Sequence, residues 1–322
     1  MADRTVRWWQ TLTTVEAGRV ALADPVVVLS VAAIEQHGPH LPLSTDLDIG
    51  LGLLSEAFGR IPEDFPAWAL PPQAIGCSRE HARFAGTLSV EPEQLSALIE
   101  ATGEVLAHIG VRRLVLSNSH GGNRHALEAA GLRLRDELGM LVVNASWFRF
   151  PRPEDVDLPE GEWRHGLHGG AVETAMMMHL RPDLVRTSEV VRAPSLGEEL
   201  AETLRRIGPE GAASFSWLAG DLNPDGVVGD ATLADADLGA HLVSHYGEVL
   251  GEVIEEARAF PIGRLKEEDG GGAGSTKPQP GRWCAVPFRA ESPDPGFGAW
   301  LIPRVRSSGW SWATRGAGRP QS

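Results

Sequence analysis

The residues best able to do chemistry gather in four short segments. In the first, Glu35, His37 and Asp46 flank a stiff turn, Gly38 to Pro42, that closely follows the apolar run Val26 to Leu29. Imidazole with carboxylates suits Zn, Mn or Fe rather than calcium. In extended backbone Glu35 and His37 share one face while Gln36 points to the other. The turn doubles the chain back and brings Asp46 to the start of the next helix. There its carboxylate either bridges two cations or caps free backbone N–H groups. Charged groups at the mouth of a buried strand are costly without a partner, which favours a functional role for Glu35 and His37. His40, beside prolines, reads as structural.

The second segment, Ser117 to Asn123, places His120 before Gly121 and Gly122. Glycines let backbone approach a ligand closely, and Asn123 is suited to cap the following helix or to orient a substrate carbonyl. In the third, His168 and Glu173 flank Gly169 and Gly170 at a helix start and are candidates for proton transfer. Glu173 also suits the positive end of that helix. The fourth cluster, Ser78 to His81, reads as a substrate-binding loop, with Ser78 as its contact.

These segments need a scaffold that brings strand ends together. Apolar runs predict strands at 26–29, 67–70, 113–116 and 141–143. Helical periodicity covers 47–58, 92–109, 124–138, 172–180 and 235–260. Pro92 suits a helix start, and Gly110 and Gly139 suit helix ends. The alternation predicts an α/β fold, a three-layer α/β/α sandwich with a mainly parallel central sheet. Ligands in such sheets bind beyond the carboxyl ends of the strands, where the first two segments lie. The segments 147–167 and 213–229 read as pocket-forming loops.

Composition narrows the partners. The 322 residues are 42% hydrophobic and 22% charged, with formal charge −14, an ordinary globular balance that disfavours nucleic acid and anionic membranes. No stretch approaches a membrane span, the N-terminus lacks a secretory core, and a cytoplasmic location is expected. Only Cys77 and Cys284 occur, so a metal must rest on His and carboxylates. Residues 1–265 read as one catalytic domain. Residues 266–322, rich in Gly, Pro, Arg and Trp, read as a poorly ordered tail.

Together the segments 35–46, 78–89, 118–123 and 168–174 resemble the creatininase (creatinine amidohydrolase) family over roughly residues 8–260. The resemblance implies a three-layer fold, commonly a hexamer, and a site with two divalent ions, Zn with Zn, Mn or Fe. These would hydrolyse a C–N amide bond of a small molecule or short peptide by metal-activated water. By position it makes Glu35 and His120 ligands of one ion, His37 of the other and Asp46 the bridge, with His168 and Glu173 transferring protons. Creatininase has a Tyr-Glu pair where this chain has Gly121 and Gly122, and that glutamate is a ligand there. The His-Gly-Gly-Asn form is similar to formamide hydrolases and to mycofactocin-system peptidases. The rivals are a noncatalytic metal-binding or assembly protein and a Ser or Cys hydrolase, the latter opposed by the absence of a Gly-x-Ser-x-Gly elbow.

Overall fold

A computed structural model describes residues 6–265; the expected tail, 266–322, lies outside the described residues. Four strands, β1 (Val26–Val31), β2 (Ala67–Ala69), β3 (Arg113–Asn118) and β4 (Leu141–Ser146), form a sheet in the order β2-β1-β3-β4. Every pairing is parallel, with Val31 opposite Asn118 and Asn118 opposite Ser146 at the carboxyl ends. Among the described residues the helices of four or more residues are α1 (Thr14–Leu22), α2 (Thr45–Arg60), α3 (Pro92–His108), α4 (Arg124–Leu138), α5 (Glu160–His165), α6 (Ala171–Leu180), α7 (Leu196–Ala201), α8 (Ala219–Leu222) and α9 (Ala236–Ala259).

The layers follow from strand alternation. Val26 and Val28 pack with Val115 against α2, α6 and α9, through Ile49, Leu53, Met176, Met177, Leu242 and Leu250. Val27, Leu29 and Val31 pack with Leu114 and Leu116 against α3 and α4, through Leu95, Ile99, Leu127 and Leu134. A strand buried on both faces reads as a near-continuous apolar run, as β1 does over residues 26–29. Among the described residues no helix is long and apolar enough to cross a membrane.

The expected α/β architecture is therefore present, with differences at the element ends. β3 and β4 run on to Asn118 and Ser146, polar residues that sequence reading left outside strands. α2 begins at Thr45, so Asp46 is its second residue and Ser44 occupies the cap position, which removes the capping alternative for Asp46. The two expected pocket loops are not wholly irregular: α5 lies in one and α8 in the other.

Candidate metal centre

The carboxyl ends of β1 and β3 and the first turns of α2 and α6 converge on one point. Gly38, with φ of 68°, takes the left-handed conformation that turns the chain after His37. Glu35, His37, Asp46 and His120 are all at most 5% exposed. His120 Nδ1 lies 3.2 Å from Glu35 Oε1 and 3.3 Å from Asp46 Oδ2, while His37 Nε2 lies 3.4 Å from Asp46 Oδ1. Glu173 Oε2 stands 3.8 Å from His37 Nε2. Asp46 thus turns one oxygen to each imidazole.

Hydrogen bonding fixes which ring nitrogen faces the cluster. His37 Nδ1 donates to the Glu35 carbonyl at 3.1 Å, and His120 Nε2 donates to the Cys77 carbonyl at 2.8 Å. The opposite nitrogens therefore present lone pairs inward, the arrangement by which proteins orient metal-binding histidines. Both carboxylate oxygens of Glu35, Asp46 Oδ2 and His37 Nε2 are buried and make no hydrogen bond. Such orphans are rare and unfavourable in a folded interior. Ligands about 2.1 Å from a shared ion in tetrahedral geometry stand about 3.4 Å apart, and the spacings found here match. Among the described residues three sets have donor atoms close enough to hold an ion: Glu35, Asp46 and His120; His37, Asp46 and Glu173; and Glu35, His37 and His168.

The electrostatics agree. Burial disfavours charge on His37, yet the carboxylates of Asp46, Glu173 and Glu35 outweigh it and raise its pKa to about 9. His120 is raised too: burial is overcome by Glu35 and Asp46. Glu173 is pushed up to about 7 by burial, with Asp46 and Glu35 adding to the effect and His37 opposing it. A proton here does the work of a cation among crowded carboxylates.

Further residues complete the surroundings. His168 Nε2 donates to the Gln36 carbonyl at 2.7 Å, leaving Nδ1 facing Glu35 Oε1 at 3.7 Å. Gln36 Nε2 donates to His81 Nδ1 and to the Gly226 carbonyl, so His81 presents its Nε2–H to Glu35 Oε1 at 3.6 Å. The rings of His37, His168 and His81 stack at centroid spacings of 4.1 and 4.2 Å. Glu162 accepts hydrogen bonds from Ala171 N and Asp230 N and so fastens the start of α6, the helix that carries Glu173. Sequence reading missed Glu162 and placed His81 only in a substrate loop. A charge pattern alone gives no signal for contacts such as Gln36 to His81 or Glu162 to Asp230, which join separate loops.

The expected substrate contacts look different in place. Ser78 is fully buried, with its Oγ 3.4 Å from His120 Nε2. Asn123 is likewise fully buried: its Oδ1 accepts from Cys77 N, and its Nδ2 donates to the Ala32 carbonyl and to Asn118 Oδ1. It makes no side-chain cap of α4 and ties three strand-end loops together instead. His40, read as structural, bonds the Gly169 carbonyl and Thr174 Oγ1.

Gly122 is sterically required. A Cβ there would overlap the Cys77 carbonyl oxygen and stand 2.5 Å from His120 Nε2 and 2.7 Å from Glu80 Oε1. Gly122→Ala is expected to displace His120 from the Cys77 carbonyl and lower metal affinity about 10- to 100-fold, the usual cost of losing such an orienting bond. Titration of the variant with Zn²⁺ measures it, and unchanged affinity would contradict the packing argument. Gly121→Ala, whose Cβ meets nothing within 4 Å, is the control.

The comparisons with known proteins identify the family. The family model for creatinine amidohydrolase matches residues 10–254. A mycofactocin precursor peptide peptidase of Mycolicibacterium smegmatis is 38% identical over 221 residues, 68% of this chain and 79% of that protein. A creatinine amidohydrolase of Pseudomonas putida is 31% identical over 191 residues, 55% of this chain and 72% of that protein. A zinc–zinc form of a creatininase variant superposes with a TM-score of 0.63 and 27% identity, covering 80% of this chain and 99% of that one. Since the match spans the whole α/β body and all four motif segments fall within it, the chain belongs to the creatininase family and is a hydrolase acting on C–N bonds.

Proposed function

We propose that the chain is a dinuclear metal-dependent amidohydrolase that cleaves an amide bond of a short peptide. The observation that carries the metal reading is the set of buried, unbonded carboxylate oxygens on Glu35 and Asp46, faced by imidazole lone pairs at ligand spacing. Glu35 and His120 would hold one ion and His37 and Glu173 the other, with Asp46 a ligand available to both. Glu173 thereby supplies the carboxylate that Gly122 does not. Zinc suits these donors and is the metal of the superposed creatininase form. Bound ions supply Lewis-acid polarisation of the amide carbonyl and ease deprotonation of water.

The remaining steps belong to side chains of the chain. His168 is kept neutral: burial and the neighbouring His37 and His81 hold its pKa well below the ordinary value. Its Nδ1 lone pair takes a proton from the attacking water and returns it to the leaving nitrogen as the C–N bond breaks. The His81 Nε2–H faces the Glu35 carboxylate at 3.6 Å, too far for a hydrogen bond, and leaves both of its oxygens available to an ion. Homo-oligomeric assembly, a hexamer by family resemblance, and a cytoplasmic location belong to the same reading.

The peptide substrate rests on the 38% identity to a peptide peptidase, against 31% over a shorter span to a creatinine amidohydrolase. A screen of zinc-reconstituted protein against short peptides, creatinine and formamides tests it. Peptide hydrolysis is expected to exceed creatinine hydrolysis by at least about 100-fold in kcat/KM, within the range that pocket contacts supply. Preference for creatinine would overturn the substrate, and inertness toward all three would favour the noncatalytic rival.

A further inference from the structure

A cavity of about 210 Å³ lies away from the clustered donors, beside the carboxyl end of β4 and the start of α4. Arg124, Glu128, Asn144, Ser146, Arg149 and Phe150 contribute to its lining. Arg124 Nε is shielded from solvent and has no hydrogen-bond partner among the described residues. Arg149 lies on an exposed turn after β4, and among the described residues no carboxylate pairs with either guanidinium. Glu128 is the acid of the wall, and its carboxylate lies 4.0 Å from His125 Nδ1. Two guanidinium groups against one carboxylate leave the cavity one positive charge in excess.

Ser146 adds a directed donor. Its Oγ accepts from Asn118 Nδ2 at 3.1 Å, so its own proton is free to point elsewhere. Asn118 Oδ1 in turn accepts from the His120 backbone N–H at 3.2 Å, and strands β3 and β4 lie about 4.8 Å apart. The cavity is therefore one strand away from the element that carries His120, along the same carboxyl edge. It is smaller than the roughly 300–1,000 Å³ of a pocket for a whole drug-sized ligand, and suits an end group.

We propose that this cavity is a carboxylate subsite, which receives either the terminal carboxylate of a peptide substrate or a free small carboxylate. An arginine fork matches the two oxygens of a carboxylate, and a single positive excess suits a monoanion better than a dianion. The site is read from the cavity itself; its use by a substrate terminus rests on the amidohydrolase reading above.

Calorimetric titration of the metal-loaded full chain tests it without reference to turnover. The probes are acetate and an N-acetylated dialanine in free-acid and amide forms, and the proteins are wild type and Arg124→Gln/Arg149→Ala. The free acids are expected to bind the double variant at least about tenfold more weakly, the scale of one charge-assisted hydrogen bond, with the amide insensitive to the substitutions. Sensitivity of the dialanine acid assigns the site to a substrate terminus; sensitivity of acetate alone assigns it to a free carboxylate. Equal affinities of the two proteins for all three probes overturn the proposal. Should the double variant fail to fold, Arg149→Ala, on an exposed turn, gives the same readout.

Discussion

Asp46→Ala is expected to lower kcat/KM by at least about 1,000-fold, because one carboxylate is shared by the two halves of the proposed site. Its Oδ1 faces His37 Nε2 at 3.4 Å and its Oδ2 faces His120 Nδ1 at 3.3 Å. Removing it takes a ligand from each ion, and metal stabilisation of developing charge contributes several kcal/mol, where each 1.36 kcal/mol is about tenfold in rate. Asp48, one position beyond the next in α2, is the control. It pairs with Arg181 and Ser44 and faces away from the cluster. Asp48→Asn should leave kcat/KM within about twofold, since a partly exposed pair contributes little. Steady-state kinetics of the two variants, on whichever peptide the screen identifies, separate the outcomes. Similar losses in both would mean that α2 is merely being destabilised.

The second large effect is on metal binding. Chelator-stripped protein is expected to rebind Zn²⁺ about 100-fold more tightly at pH 9 than at pH 7. In the stripped fold the His37 pKa is raised to about 9: burial opposes the charge, and Asp46, Glu173 and Glu35 prevail. A zinc ligand must be unprotonated, so below pH 9 each binding event at His37 must release a proton, and affinity changes about tenfold per pH unit. His120, also raised, steepens the dependence. The stability of the stripped protein moves in the opposite sense. A His raised in the folded state contributes stability that is complete below its ordinary value and is lost as pH rises through about 9. The melting-temperature gap between loaded and stripped protein should therefore widen over that interval. Competition titrations at pH 7, 8 and 9 measure the affinity, and a flat profile would contradict the arrangement of His37 between carboxylates.

Much of the scaffold is legible in the sequence because its signals are local. Residues 26–29 form a continuous apolar run, as burial on both sheet faces demands, Pro92 stands where α3 begins, and Gly110 and Gly139 stand just past the ends of α3 and α4. The strand ends are less legible. Ser117, Asn118 and Ser146 are polar yet lie in strands, because register pairing with β1 and β3 outweighs their weak strand preference.

The site divides along the same line. Glu35, His37, Asp46 and His120 stand out by type and by position at strand mouths, and the fold brings them within hydrogen-bonding reach of one another. His81 and Glu162 do not stand out. The partners of His81, Gln36 and Glu35, and one partner of Glu162, Asp230, are distant in sequence, and no periodicity encodes these contacts. Asn123 misleads in the other direction. Its type suggests a cap or a substrate contact, but the neighbouring loops use all three of its hydrogen bonds. For Glu173 the sequence leaves a proton-transfer group and a charge at a helix start open, and its place beside His37 and Asp46 is what supports the proposed ligand role.

The central claim, two ions sharing Asp46 with His37 and Glu173 on one side, is tested most directly by metal stoichiometry. Stripped wild-type chain, titrated with Zn²⁺ and desalted, should retain two equivalents per chain by elemental analysis, and His37→Ala should retain one. One equivalent in the wild type, or two in His37→Ala, would contradict the account.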